Sequence, residues 1–184
     1  MTTTPATGFA LFPTALGDCG IAWGPKGIVG VHLPEADRQA ALARLQRRFP
    51  DFAESPMPPE VARAADGVRA LLAGEQPDLL DVVLDDTGVP DFHRRVYALA
   101  RRIPPGQTLT YGEVATALGD KGLARAVGQA MGANPFAPVV PCHRVLAANG
   151  RPGGFSAHGG ALVKLRMLAI EGARPNGMAS LFDV

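Results

Sequence analysis

Apolar residues recur at different spacings along this chain, and the changes of spacing mark out its elements. In IAWGPKGIVGVHL the apolar residues are broken by Gly and Pro at hairpin positions, which predicts two strands joined by a turn. ADRQAALARLQRRF then places Ala40, Ala41, Leu42, Leu45 and Phe49 near helical spacing, with Arg44, Arg47 and Arg48 on the other face. VARAADGVRALLAGE predicts a second helix, ended by Gly74. LLDVVLDD reads as a buried strand, and TGVPD as a turn-rich connection. The first half is therefore expected to be a small α/β unit, without repeats or low-complexity tracts.

The second half reads as mainly helical. In DFHRRVYALARRI the expected N-cap is Asp91, and Phe92, Val96, Leu99 and Ile103 share one face before Pro104 stops the helix. Arg94, Arg95, Arg101 and Arg102 supply its polar surface. Further on, Thr110 is positioned to cap a helix, with Glu113 as its capping-box partner and Gly119 as the stop. Another helix is expected from about Leu123 to Met131. Two short helices joined by a Gly-containing turn match the helix-turn-helix of DNA-binding proteins, although the same arrangement also occurs as plain packing.

Charge sharpens the division. Residues 1–90 carry 7 Lys and Arg against 12 Asp and Glu, a net of −5; residues 91–184 carry 11 against 5, a net of +6. Clustered cations neutralise phosphates and release counterions, so the second half is where a polyanion is expected. With 47% hydrophobic and 19% charged residues the composition is that of a soluble protein. No apolar run reaches the roughly 20 residues needed to cross a bilayer, and MTTTPATGFALFPTALG has no basic region leading into an apolar core, so a cytoplasmic location is expected, with no membrane association. Cys19 and Cys142 are too few for a disulfide scaffold and lack the spacing of a zinc site.

The candidate chemistry lies in PVVPCHRVLAANG, where Cys142 directly precedes His143 between a strand-like apolar run and a Gly-containing loop. Such a cysteine is either inert packing or a nucleophile, and reactivity requires a thiolate supported by a base or a positive field. Adjacent residues on a strand point to opposite faces, so His143 is expected to act through a water, with a carboxylate fixing its tautomer. Arg125 stands 17 residues and Asn134 8 residues before Cys142, and Glu171 follows it by 29.

The PCHRV string, the preceding Asn134-Pro135, the Arg-Ala-Val-Gly of the second helix and the late Glu171-Gly172 together resemble the O6-alkylguanine-DNA alkyltransferases, or methylated-DNA protein-cysteine methyltransferases. The resemblance runs from about Phe92 to Gly172 and is only architectural before that. It implies an α+β or α/β chain, with a ribonuclease H-like α/β domain over residues 1–87 and a mainly helical, winged-helix-like DNA-binding domain over 88–184. It also implies direct-reversal repair: a single, irreversible transfer of an alkyl group from O6-alkylguanine, and from O4-alkylthymine, to Cys142. Minor-groove binding and base flipping would precede transfer, because a stacked base cannot present its O6 substituent to a sulfur. Double-stranded DNA is the implied partner, the protein a monomer, and no cofactor or metal is implied.

Residue by residue, the resemblance implies Cys142 as alkyl acceptor, His143 as water-linked base and Glu171 as its orienting carboxylate. Asn134 becomes the hinge between recognition helix and active-site strand. Arg125 enters the base stack, Tyr111 contacts the flipped guanine and its phosphate, and the small residues Ala124, Ala126, Gly128 and Ala130 let the helix approach the groove. The carbonyls of Cys142 and Val145, with Phe155 and Ser156 on the following loop, line the base pocket. Where related sequences have Tyr-Ser-Gly-Gly or Tyr-Ala-Gly-Gly, this chain has Phe155 to Gly160, gaining Ala157-His158 and losing a hydroxyl, which leaves the range of alkyl groups open. Cys19 reads as packing, His32 as a strand residue and His93 as a helix-surface residue. The tail MASLFDV resembles the latter part of bacterial sliding-clamp binding peptides, while its plainer reading is a hydrophobic tail docked on its own domain. The rival readings are a damage sensor, a cysteine hydrolase and a winged-helix regulator with an incidental thiol. The retained cysteine argues against the first, and the second lacks a visible oxyanion-hole signature.

Overall fold

The computed structural model describes residues 6–153 and 157–173. They divide into two compact units: residues up to Thr87 together with Pro135–Val139, and Gly88–Asn134 together with the residues from Val140 onward. The architecture is α+β.

In the first unit β1 (Gly8–Thr14), β2 (Gly17–Gly24) and β3 (Gly27–His32) form an antiparallel meander in that order. The IAWGPKGIVGVHL pattern predicted β2 and β3 but left β1 unread. Its Pro13 lies near the end of an edge strand, the position a sheet tolerates for a residue without an N–H. In β2 the whole run Cys19–Trp23 is buried, so cover is needed on both faces. Helix α1 (Arg38–Arg48) packs on β2 and brings Leu45 onto Phe9 and Ala22. Helix α2 (Pro59–Leu72) packs on β1 and buries Val61, Ala64, Ala65, Val68, Leu71 and Leu72. Asp37 caps α1 by accepting from Ala40 N at 2.7 Å.

Leu79–Asp86 is not the buried strand its apolar run suggested. Leu80 and Val83 are 54% and 66% exposed. The segment makes one parallel bridge between Leu84 and Ile28. There Ile28 N donates to the Val83 carbonyl at 3.0 Å and Asp85 N to the Ile28 carbonyl at 2.8 Å. The aspartates decide the outcome: Asp78 Oδ1 accepts from Leu80 N at 2.8 Å and Asp85 Oδ1 from Thr87 N at 3.0 Å, local turns that compete with a ladder. Gly27 permits the single contact. Its φ is +140°, and a Cβ there would lie 2.7 Å from the Val83 carbonyl oxygen.

Pro135–Val139, inside the span 88–184 expected for the second domain, groups with the first unit. Its Pro135 carbonyl accepts from Val31 N at 2.9 Å and Phe136 is buried. The segment thereby satisfies backbone groups of β3, which is an edge strand of the meander.

The second unit opens with α3 (Asp91–Ala100). Pro90, not Asp91, holds the cap position, and Asp91 sits in the first turn, where the helix dipole favours its charge. Strand β4 (Leu109–Thr110) runs into α4 (Tyr111–Ala117) through the expected capping box: Glu113 N donates to Thr110 Oγ1 at 3.0 Å and Thr110 N to Glu113 Oε2 at 2.7 Å. After Gly119, at φ +106°, a 3₁₀ turn over Lys121–Leu123 leads into α5 (Ala124–Gly132). Strand β5 (Val145–Leu146) pairs in parallel with β4, and α6 (Gly160–Ile170) closes the unit. Buried Val96, Val114, Val127, Met131, Met167 and Leu168 belong to its core, where Tyr97 Oη donates to the Ala130 carbonyl at 2.7 Å.

Candidate active site

Cys142 opens a 3₁₀ turn, Cys142–Arg144, and does not lie on the strand its apolar approach suggested. Pro141 precedes the turn, Arg144 N donates to the Pro141 carbonyl at 2.9 Å, and Cys142 N donates to the Val140 carbonyl at 2.9 Å. A tight turn between a proline and β5 presents consecutive side chains about 120° apart, so the opposite-face relationship of a strand does not apply. Asn134, just past α5, donates from Nδ2 to the same Val140 carbonyl at 2.8 Å and so ties the end of the helix to the approach of the cysteine. Cys142 is 6% exposed.

The next two residues of the turn converge on Glu171, the residue capping α6. His143 Nε2 lies 2.6 Å from Glu171 Oε1. Arg144 donates from Nε at 3.0 Å to Oε2 and from Nη2 at 2.8 Å to Oε1, while its Nη1 donates to the Ile103 carbonyl at 2.6 Å. Burial alone pushes the Glu171 carboxyl up, but hydrogen bonds and charge from His143 and Arg144 overcome this and bring it down to about 2. An ionised carboxylate only accepts, so the proton on Nε2 belongs to His143. Burial holds His143 below the ordinary imidazole value against the opposing pull of Glu171, which leaves the ring neutral at neutral pH. A neutral imidazole protonated at Nε2 carries its lone pair on Nδ1. That atom is buried and has no hydrogen-bond partner among the described residues.

Burial pushes the Cys142 thiol above its ordinary value, and a hydrogen bond from Asn134, the charge of Lys164 and nearby backbone N–H groups pull it partly back. Lys164, on α6, is itself 1% exposed. Its Nζ donates to the Val145 carbonyl at 2.7 Å and lies 5.8 Å from the centroid of the Tyr111 ring. Tyr111 is half-buried, and burial, then the nearby Cys142, raises its hydroxyl, so it remains a neutral donor. The site thus combines a resting thiol, a neutral base with a bare nitrogen and a fixed cation.

A groove of about 1040 Å³ runs along α4 and α5, lined by Tyr111, Ala124, Arg125, Gly128, Gln129 and Asn149 among others. Arg125 is exposed there. Two small residues expected on this face lie elsewhere: one helical turn places Ala126 on the half-buried flank, and Ala130 is buried with Val127 and Met131. Of the expected base-pocket residues, Tyr111 is at the groove and Val145 is buried with its carbonyl already accepting from Lys164. Phe155, Ser156 and the tail from Arg174 lie outside the described residues.

The family model for the 6-O-methylguanine DNA methyltransferase DNA binding domain matches residues 91–173, a span that holds every residue of this site. A methylated-DNA–protein-cysteine methyltransferase of Methanothermobacter thermautotrophicus is 34% identical over 160 residues, covering 87% of this chain and 82% of that protein. The chain belongs to the methylated-DNA–protein-cysteine methyltransferase family. A Mycobacterium tuberculosis member is 43% identical over 129 residues, covering 70% of this chain and 76% of its own length. The crystal structure of Mycobacterium tuberculosis OGT in complex with DNA superimposes with a TM-score of 0.70 at 33% identity, covering 89% of this chain and 92% of that one.

Two residues of this methyltransferase site were invisible to sequence reasoning. Arg144 and Lys164 are basic residues with no local feature that signals burial. A signal was nonetheless present for Lys164, since in KLRMLAIEG it stands seven residues before Glu171, two helical turns along the same face. Cys19 is fully buried on β2, with burial pushing its thiol up to about 12, as suits packing. His93 is half-buried and its ring lies 6.0 Å from that of Tyr97, so it is less exposed than a surface position. Among the described residues no group of three or more His, Cys, Asp or Glu is placed to hold a metal ion. No described helix is long and apolar enough to cross a membrane.

Proposed function

We propose that this protein repairs DNA by direct reversal, moving the alkyl group of O6-alkylguanine onto Cys142. The observation that carries the reading is the bare, buried Nδ1 of His143, fixed in its tautomer by an ionised Glu171, one residue from a cysteine in a family of cysteine methyltransferases. The thiol proton passes through a water to Nδ1, leaving a thiolate. Sulfur attacks the alkyl carbon, the S–C bond forms as the C–O6 bond breaks, and the electron pair stays on the guanine. The proton taken from the thiol is the one the guanine requires to leave neutral. A thioether has no easy hydrolytic exit, so each molecule acts once. The same chemistry extends to O4-alkylthymine.

The groove along α4 and α5 supports DNA handling. In this reading α5 enters the minor groove by its Ala124 and Gly128 face, Arg125 fills the stack, and Tyr111 and the Val145 carbonyl receive the extruded base, with Phe155 and Ser156 completing the pocket. Extrusion costs a few kcal/mol. Asn134 serves as the hinge of the cysteine turn. Residues 1–87 are read as a ribonuclease H-like domain and 88–184 as a winged-helix-like domain, supported by the meander with its two helices and by the α4–α5 pair beside β4 and β5. The protein works as a cytoplasmic monomer, with a weak sliding-clamp contact through the tail 178–184.

Intact mass after mixing with O6-methylguanine DNA tests the proposal. One methyl per protein, located on Cys142 and reaching a plateau, is expected. Repeated turnover, or full activity in Cys142→Ala, rejects it.

A further inference from the structure

Helix α5 gives Val127, Ala130 and Met131 to the core and turns two exposed side chains the other way, Arg125 and, one turn on, Gln129. Both line the groove along α4 and α5. Among the described residues the Gln129 amide makes no hydrogen bond. It also has room: a Cβ on Gly128, beside it on the same face, would meet nothing within 4 Å. Other polar side chains of the groove are occupied or can only donate. Glu113 is held in the capping box, Thr116 donates to the Gly112 carbonyl at 2.9 Å, and Lys121 and Arg125 carry donors alone. Gln129 instead carries an acceptor and two donors on one neutral, planar group. A phosphate offers acceptors only and is better served by a cation, whereas an amide matches a base edge that both donates and accepts.

We propose that Gln129 reads the minor-groove edge of guanine in a base pair flanking the lesion, so that neighbouring sequence sets the rate of repair. This rests on α5 entering the minor groove with Arg125 at the gap. In that groove adenine and thymine present acceptors alone, and guanine adds the donor of its 2-amino group beside the acceptor N3. Gln129 Oε1 accepts from the amino group while Nε2 donates to N3. Four residues of helix advance about 6 Å and base pairs repeat at about 3.4 Å, which puts the amide within about two pairs of Arg125. Arg125 then acts at the gap itself, and Gln129 acts on the intact duplex beside it.

The test uses duplexes with one O6-methylguanine and a G·C, inosine·C or A·T pair at each of the first two positions on either side. Inosine keeps N3 and lacks only the 2-amino group. Because it also weakens pairing, the quantity read is the G·C to inosine·C ratio of single-turnover transfer rates in wild type, divided by the same ratio in Gln129→Ala. At one of the flanking positions this quotient reaches about fivefold or more, and A·T behaves as inosine·C. A quotient near one at every position overturns the proposal. Gln129→Met keeps the length of the side chain without its amide and should match Gln129→Ala; a methionine variant with the wild-type preference would assign the effect to shape and also overturn it. Alanine and methionine are both good helix formers, so α5 survives either change. A wild-type protein that gains no methyl rejects the proposed function, and the same quotient taken from equilibrium affinities for these duplexes still decides Gln129.

Discussion

His143 and Arg144, neighbours in the chain, donate to the same carboxylate oxygen, Glu171 Oε1, at 2.6 and 2.8 Å. The shared acceptor holds the imidazole in one tautomer while the guanidinium keeps the carboxylate ionised. His143→Ala removes only the base and slows methyl transfer at least tenfold in single-turnover kinetics, with lesion binding nearly intact. Glu171→Gln also leaves Arg144 partly unpaired in a buried site, so it slows transfer and in addition destabilises the fold, by about 3 kcal/mol in urea melts. Wild-type transfer rates in both variants would remove the relay.

Asn134 acts on the cysteine from the end of α5, holding the Val140 carbonyl and lowering the thiol. Asn134→Ala loses about 1 kcal/mol of stability and moves the pH profile of Cys142 alkylation upward. A profile that stays in place while stability falls would reduce Asn134 to a structural tie.

In the first unit, His32 Nε2 accepts from Arg48 Nη1 at 2.8 Å. Burial, aided by Arg44 and Arg48, lowers the imidazole to about 3. The sign follows: below pH 6.5 the unfolded chain binds a proton that the folded protein refuses, so stability falls as pH drops from 6.5 toward 3. The loss from this one group is about 2 kcal/mol at pH 5. His32→Gln, which still accepts from Arg48 but does not titrate, should flatten that part of the stability profile. Parallel profiles for the two proteins would show that His32 does not titrate with unfolding.

The extent to which this site was legible depends on how local each signal is. The capping box of Thr110 and Glu113 spans four residues and carries its own geometry, so the sequence alone located the start of α4. Leu79–Asp86 was misread because an apolar run says nothing about its partner, and two aspartates, Asp78 and Asp85, diverted the backbone into turns. Glu171 became a candidate only through family resemblance, because 29 residues separate it from Cys142 and only the packing of α6 closes the gap. Arg144 was not legible at all, and Lys164 only through its seven-residue spacing from Glu171. Their roles arise from burial, a tertiary property that the identity of a basic residue does not encode.

Arg125 stands exposed in the groove along α4 and α5. If it fills the gap left by the extruded base, Arg125→Ala loses most on fully paired duplex, where unstacking costs a few kcal/mol, and less on single strands. A phosphate contact behaves otherwise, weakening binding to all DNA alike and reducing the salt slope by about one. Transfer rates on duplex and single-stranded O6-methylguanine oligonucleotides separate the two, and equal losses would leave Arg125 as a phosphate contact.

The two-residue ladder of β4 and β5 works as a caliper. Leu109 pairs with Val145 and Thr110 with Leu146; Tyr111 follows one arm directly, and the cysteine turn directly precedes the other. The spacing between the aromatic ring and the sulfur is therefore gauged by backbone hydrogen bonds and not by side-chain rotamers. Trimming the side chains of these strands leaves that aperture unchanged, whereas a proline at Val145, which removes the N–H that closes the cysteine turn on the Cys142 carbonyl, loosens the gauge where the turn joins it.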